Sequence, residues 1–195
     1  MIPKNTQKVI AFLVRNIDKP GFNVNQLARE LSISPSNALY ILQEFKNKSI
    51  VKTIDLKTSI YYTYNFSNEE ARTLAAFVLL QNDFNNYAKV LVDDLTPLKE
   101  ISLSCILFGS VLKKGKEAED IDILLISEEF SRLHTKLNSL RDLKPKKIHD
   151  VLMTQKDFAK NIARKDAVVL NILKDGAVLW GSDIIVKALE ESYEK

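Results

Sequence analysis

"CILFGSVLKKGKEAEDIDILLIS", residues 105–127, decides how the second half of this chain folds. An apolar run ends at a small-residue pair, Gly109-Ser110. Eleven positions after Gly109, the triplet Asp120-Ile121-Asp122 opens a second apolar run. Both runs read as strands, and side chains alternate along a strand, so Asp120 and Asp122 point the same way. Two carboxylates held together repel, and burying either one unpaired is expensive. A divalent cation satisfies both at once. Mg²⁺ (or Mn²⁺) prefers hard oxygen ligands and commonly takes one or two carboxylates plus substrate phosphates. The small-residue turn upstream lets backbone N–H groups approach those phosphates closely.

The segments around this stretch read as alternating strands and helices. "ISLSCILFGS" is a strand, and so is "DIDILLIS". Ser127 caps a helix running through residue 142, and "KKIHDVLMT" is a third strand. Thr154 caps the next helix, and residues 166–174 form another, which Gly176 ends as a C-cap. "AVLWG" is a short run into a last helix, "DIIVKALEES".

"FGSVLKKGKEAEDIDILLI" resembles the signature of the DNA polymerase β-like nucleotidyltransferase superfamily: hydrophobic, Gly-Ser, about ten residues, then Asp-hydrophobic-Asp. It looks most like the minimal nucleotidyltransferases of prokaryotes, over about residues 100–185. The ending "ILKDGAVLWG" is similar as well. The resemblance implies that Gly109 and Ser110 hold a nucleoside triphosphate and that Asp120 and Asp122 bind metal. It further implies a third acid on a later strand. Asp150 is the only acid in "KKIHDVLMT" and is the candidate. It would activate the attacking hydroxyl. His149 falls on the opposite strand face and is assigned a structural or solvent role. Relatives carry arginine after Gly-Ser, whereas this chain offers Lys113 and Lys114. Lysine meets phosphate as a point charge without arginine's bidentate fork; the alternative for both is a solvated loop.

The amino-terminal third has a different pattern. Residues 4–17 form an amphipathic helix, which "DKPGFN" breaks. Leu27, Ala28 and Leu31 line the next helix. Ile33 plugs a turn, and Ser34 and Pro35 start a third helix as N-cap and first residue. Leu39, Leu42 and Phe45 are its expected buried side. "IVKTIDLKTSIYYTYNF" holds two strand-like runs around a polar turn. This stretch resembles the winged helix-turn-helix regulators of the MarR/ArsR kind. Ser32 stands where such families often carry glycine, and serine tolerates the turn's positive φ less well. The second helix of such a motif lies in the major groove. Ser36, Asn37 and Tyr40, then Gln43, would therefore reach bases, while Lys46, Lys48, Lys52 and Lys57 would meet phosphates. The alternative is a dimerisation or partner-docking module. Between the two patterns, Ser67 and Glu70 form a capping box, and Leu91, Leu95 and Leu98 are expected to pack on the second domain.

Charge follows the same division. Residues 1–66 hold nine Lys/Arg against four Asp/Glu, a net +5, within a chain of net +3. A basic third on a mildly acidic remainder suits contact with a polyanion. The chain has 195 residues, 46% hydrophobic, enough for two small domains. No run approaches the ~20 apolar residues of a membrane span, and the first residues are too polar for a signal peptide. The single cysteine, Cys105, reads as a buried core thiol, so a reducing, cytoplasmic location fits.

The expected fold class is α+β: a winged helix-turn-helix over 1–66, a helical linker over 67–99, and a nucleotidyltransferase-like mixed sheet flanked by helices over 100–195. The expected function is Mg-dependent transfer of an NMP from a nucleoside triphosphate such as ATP to an unidentified acceptor, with DNA binding at the amino-terminal end. The competing reading is a transcriptional regulator or antitoxin whose transferase fold only binds nucleotide or a partner. Expected partners are the nucleotide, duplex DNA, an acceptor protein and a second copy of the chain, with no membrane.

Overall fold

A computed structural model describes residues 2–193 and is α+β throughout. The chain forms two compact units that divide at 78/79, inside the stretch expected to link two domains.

The first unit starts with α1 (Lys4–Arg15), α2 (Val24–Leu31) and α3 (Pro35–Asn47). Asn23 and Gln26 form a reciprocal capping box at the start of α2. Ser32 ends α2 in the left-handed region, φ 53° and ψ 46°, so it adopts the glycine-like turn at some cost in strain. Ser34 accepts from the Asn37 N–H at 3.2 Å, and Pro35 sits in the first turn of α3, as expected.

Ala38, Ile41, Leu42 and Phe45 are the buried stripe of α3, spaced i, i+3, i+4, i+7. Leu39 lies about 100° round from Ala38, at the edge of that stripe, and is 39% exposed rather than buried. Leu31 shares the face of Leu27 and Ala28 but is only half-buried, at the last residue of α2.

β1 (Val51–Asp55) and β2 (Ile60–Tyr64) pair antiparallel, with Val51 opposite Tyr64. Lys57 turns the hairpin at φ 65°, its N–H held by Asp55 Oδ1 at 2.9 Å. α4 (Glu69–Leu79) follows. Its cap is Asn68, whose Oδ1 accepts from the Ala71 N–H, and not Ser67. Tyr64 donates its hydroxyl to the Ala71 carbonyl at 2.8 Å, which ties the hairpin to α4. Burial, helped by the nearby Glu70 charge, pushes the Tyr64 phenol well above its usual pKa.

The second unit contains α5 (Asn86–Leu95), β3 (Ser104–Phe108), α6 (Val111–Lys114), β4 (Asp120–Ile126), α7 (Phe130–Leu143), β5 (Lys147–Met153), α8 (Gln155–Ala163), α9 (Ala167–Asp175), β6 (Ala177–Trp180) and α10 (Ser182–Tyr193). The sheet order is β5-β4-β3-β6. β4 runs antiparallel to β3 and parallel to β5, so the sheet is mixed. One face carries Cys105, Leu107, Ile121, Ile123, Leu125 and Ile148. Leu91, Leu95 and Leu98 pack in that same core with Leu133 and Leu137 of α7, as expected of the leucines. Cys105 is fully buried, and burial holds its thiol protonated and unreactive.

Thr154 caps α8 as expected, accepting from the Asp157 N–H at 3.0 Å. Ser127 does not cap α7. Its hydroxyl donates to the Ile101 carbonyl and accepts from the Glu129 N–H, so it closes the turn before the helix. Gly176 does end α9, but with extended backbone (φ −82°, ψ 165°) rather than left-handed. Glycine is needed there for space: a Cβ would press on the Ile172 carbonyl and, at 2.6 Å, on Ile106.

Candidate functional site

The Gly-Ser turn and the paired aspartates meet because β3 and β4 are neighbours. Phe108 lies opposite Asp122 in the antiparallel register, so the residue after it reaches the Asp122 side chain. Gly109 turns there at φ 79°, and any Cβ on it would collide with the Asp122 carboxylate. Close approach and positive φ together make glycine the one fitting residue. Ser110 follows in helical conformation (φ −65°, ψ −26°); its side chain does not cap α6, and its carbonyl accepts from the Lys113 and Lys114 N–H groups. Lys113 and Lys114 are both exposed.

Asn85 fixes this turn from outside. Its Nδ2 donates to the Val111 and Leu112 carbonyls, each at 3.1 Å, while its Oδ1 caps α5 through the Ala88 N–H. Its role was not visible in the sequence, where it is one of several polar residues between helices. Lys146 holds the other end of the loop through the carbonyls of Lys116 and Ala118, with its Nζ 4.6 Å from the Tyr87 ring centre.

Asp120 and Asp122 share one face at the start of β4. Their side chains are 39% and 26% exposed, so both remain partly hydrated. The repulsion between them is therefore eased by water as well as by any partner. Two further ionisable groups on this face come from β5: Lys147, opposite Asp120, and His149. In the parallel pairing of β4 and β5, Asp122 lies opposite His149 and Ile123 opposite Asp150. His149 Nδ1 stands 3.6 Å from Asp122 Oδ1 and 3.9 Å from Asp120 Oδ2, beyond hydrogen-bond range.

Asp150 is on the other face. It is an ion-pair partner of Arg141 from α7, and its side chain is only 11% exposed. The expectation that Asp150 would stand beside the first two acids is thus corrected. Its apolar surroundings, Ile148 and Leu152, belong to the core face, and His149 takes the place beside the aspartates.

Among the described residues, no group of three or more His, Cys, Asp and Glu is placed to hold a metal ion. Two accessible carboxylates do suit a cation that completes its shell with phosphate oxygens and water. A cleft of about 430 Å³ adjoins the turn, lined by Phe108, Gly109, Ser110, Leu112 and Lys113 on one side and by Val168, Asn171, Ile172 and Asp175 of α9 on the other. A smaller one, about 310 Å³, runs along the start of β5 between Arg141, Lys144, Lys146, Lys147 and His149.

In the first unit, Ser36, Tyr40 and Gln43 are exposed along one side of α3, with Tyr40 at 62%. Asn37 is half-buried. Lys46 and Lys57 are exposed. Lys52 Nζ lies 3.3 Å from Ser67 Oγ, and Lys48 pairs with Glu70 at 3.6 Å. No helix of the described residues is long and apolar enough to cross a membrane.

No protein-family model, curated protein or solved structure matches the chain.

Proposed function

We propose that this chain is a nucleotidyltransferase of the polymerase β-like kind, joined to an amino-terminal winged helix-turn-helix that binds duplex DNA. The observation that carries the enzymatic half is the contact between Gly109 and Asp122. It brings the Gly-Ser turn against Asp122, one of the two carboxylates, beside a cleft within the usual size range of small-molecule sites.

In this reading Ser110 and the backbone around Gly109 hold the β- and γ-phosphates, and Lys113 adds positive charge at their edge. Asp120 and Asp122 would hold an Mg²⁺ or Mn²⁺ ion, which when bound would supply charge neutralisation for the phosphates. An acceptor hydroxyl attacks the α-phosphorus. The new P–O bond forms as the α–β bridge breaks, and pyrophosphate leaves with the bonding pair. In this reading His149, on the aspartate face, receives the hydroxyl proton. The order helix, helix, left-handed turn, helix, hairpin supports the DNA-binding half, with α3 as the groove helix.

The enzymatic half is tested by calorimetric titration of a nucleoside triphosphate with and without Mn²⁺. Wild type should bind in a metal-dependent way, and Asp122→Asn, which removes the charge and keeps the shape, should lose that dependence. Equal metal-dependent binding by both proteins overturns the reading. A second reading, a regulator whose transferase fold only binds, is favoured by the engagement of Asp150 with Arg141, which leaves two carboxylates on the site face. Metal-dependent nucleotide binding without any labelled NMP transferred to cell-extract acceptors would support that second reading.

A further inference from the structure

α9 presents one stripe of side chains to the cleft beside Gly109: Val168, Asn171, Ile172 and Asp175, spaced i, i+3, i+4, i+7. Ile172 is buried, whereas Val168 is 61% exposed, an apolar side chain left open on the cleft wall. Leu112 and Phe108 supply apolar surface on the opposite wall. The lining thus combines apolar side chains with two polar ones from α9, Asn171 and Asp175. These two have a defined hydrogen-bonding character. Asn171 offers both a donor and an acceptor, while the Asp175 carboxylate only accepts. The two are one helical turn apart on the same face.

We infer that this cleft is a nucleobase subsite and that Asn171 and Asp175 select guanine. The inference rests on the proposal that the Gly109-Ser110 turn holds a triphosphate, because those residues line the same cleft. Guanine presents two adjacent donors, N1–H and N2–H, and an acceptor, O6. A carboxylate takes both donors, and an amide N–H meets O6. Adenine presents an acceptor at N1, which would face the Asp175 carboxylate without a proton between them. A polar edge built for one pattern rejects a base that leaves its groups unpaired.

The test is calorimetric titration of the full chain with GTP, ATP and inorganic tripolyphosphate, in Mn²⁺. Tripolyphosphate reports the phosphate site alone. Wild type should bind GTP about tenfold or more tightly than ATP, in line with one good bidentate base contact. Asp175→Asn should erase most of that preference while leaving tripolyphosphate affinity unchanged. Val168→Trp, at an exposed position, should fill the cleft and weaken both nucleotides but not tripolyphosphate. Equal affinity for GTP and ATP in wild type overturns the choice of guanine. GTP affinity unaffected by Val168→Trp overturns the subsite. Binding of tripolyphosphate with no gain from either nucleoside overturns this inference alone. Failure of all three probes to bind overturns the nucleotidyltransferase reading and the subsite with it.

Discussion

At Gly109 the backbone is left-handed and a carboxylate occupies the space a side chain would need. Gly109→Ala should therefore cost about 1–3 kcal/mol from strain alone, read as a drop in denaturation midpoint. It should also weaken metal-dependent nucleotide binding, because the collision pushes on Asp122. Asp150 and His149 are neighbours in sequence with opposite expected phenotypes. Asp150→Asn removes a charged partner from Arg141 at a largely buried position and should cost about 2 kcal/mol of stability. Nucleotide affinity and transfer should be unchanged. His149→Ala, at a side chain 58% exposed, should leave stability unchanged and slow transfer about 10²-fold. Measuring both variants by denaturation and by labelled-NMP transfer checks the assignment; a slow Asp150→Asn with normal stability would reverse it.

At the scale of elements, the helices announce themselves through their caps and stripes. Ser34, Pro35 and Thr154 act where the sequence places them, because a cap is a contact within three residues. Ser67 and Ser127 misled because neighbouring polar groups compete for the same amides: Asn68 caps α4, and Ser127 is drawn to the Ile101 carbonyl. Leu39 shows a subtler limit, since one residue of phase separates the buried stripe of α3 from its edge. Asn85 joins two elements that the sequence keeps 26 residues apart. Asn85→Ala removes the cap of α5 and two hydrogen bonds to the α6 carbonyls. It should cost about 2 kcal/mol and weaken nucleotide binding, since the loop carrying Ser110 loses its anchor. Circular dichroism melts beside nucleotide titrations will show whether the two losses occur together.

At the scale of the molecule, the charge imbalance makes salt the informative variable. If the amino-terminal unit binds DNA, log affinity should fall linearly with log salt, at roughly 0.9 per phosphate neutralised. Lys46→Ala, Lys52→Ala and Lys57→Ala should each flatten the slope by about that amount. Lys48→Ala should change it least, because Glu70 already sits beside that ammonium. Asn37→Ala and Tyr40→Ala should act on a preferred site and leave the slope unaltered. Fluorescence anisotropy of labelled genomic fragments from ~50 mM salt upward measures all of these. Absence of binding at the lowest salt would make α3 and its hairpin a protein-docking surface.

The chain's sequence by itself determined that there are two kinds of segment, where helices such as α3 and α8 start, that the class is α+β, and that Asp120 and Asp122 share a face. Each of these depends on groups a few residues apart, and local geometry settles them. Tertiary structure decided what stands beside the aspartates. Alternation along β5 separates His149 from Asp150, yet only the register of β5 against β4 says which of the two faces the site. A shift of one residue exchanges every side chain between faces. That register is set by burying Ile148 against the core of Ile121, Ile123 and Leu133, a cooperative choice that no short stretch of the chain can make alone.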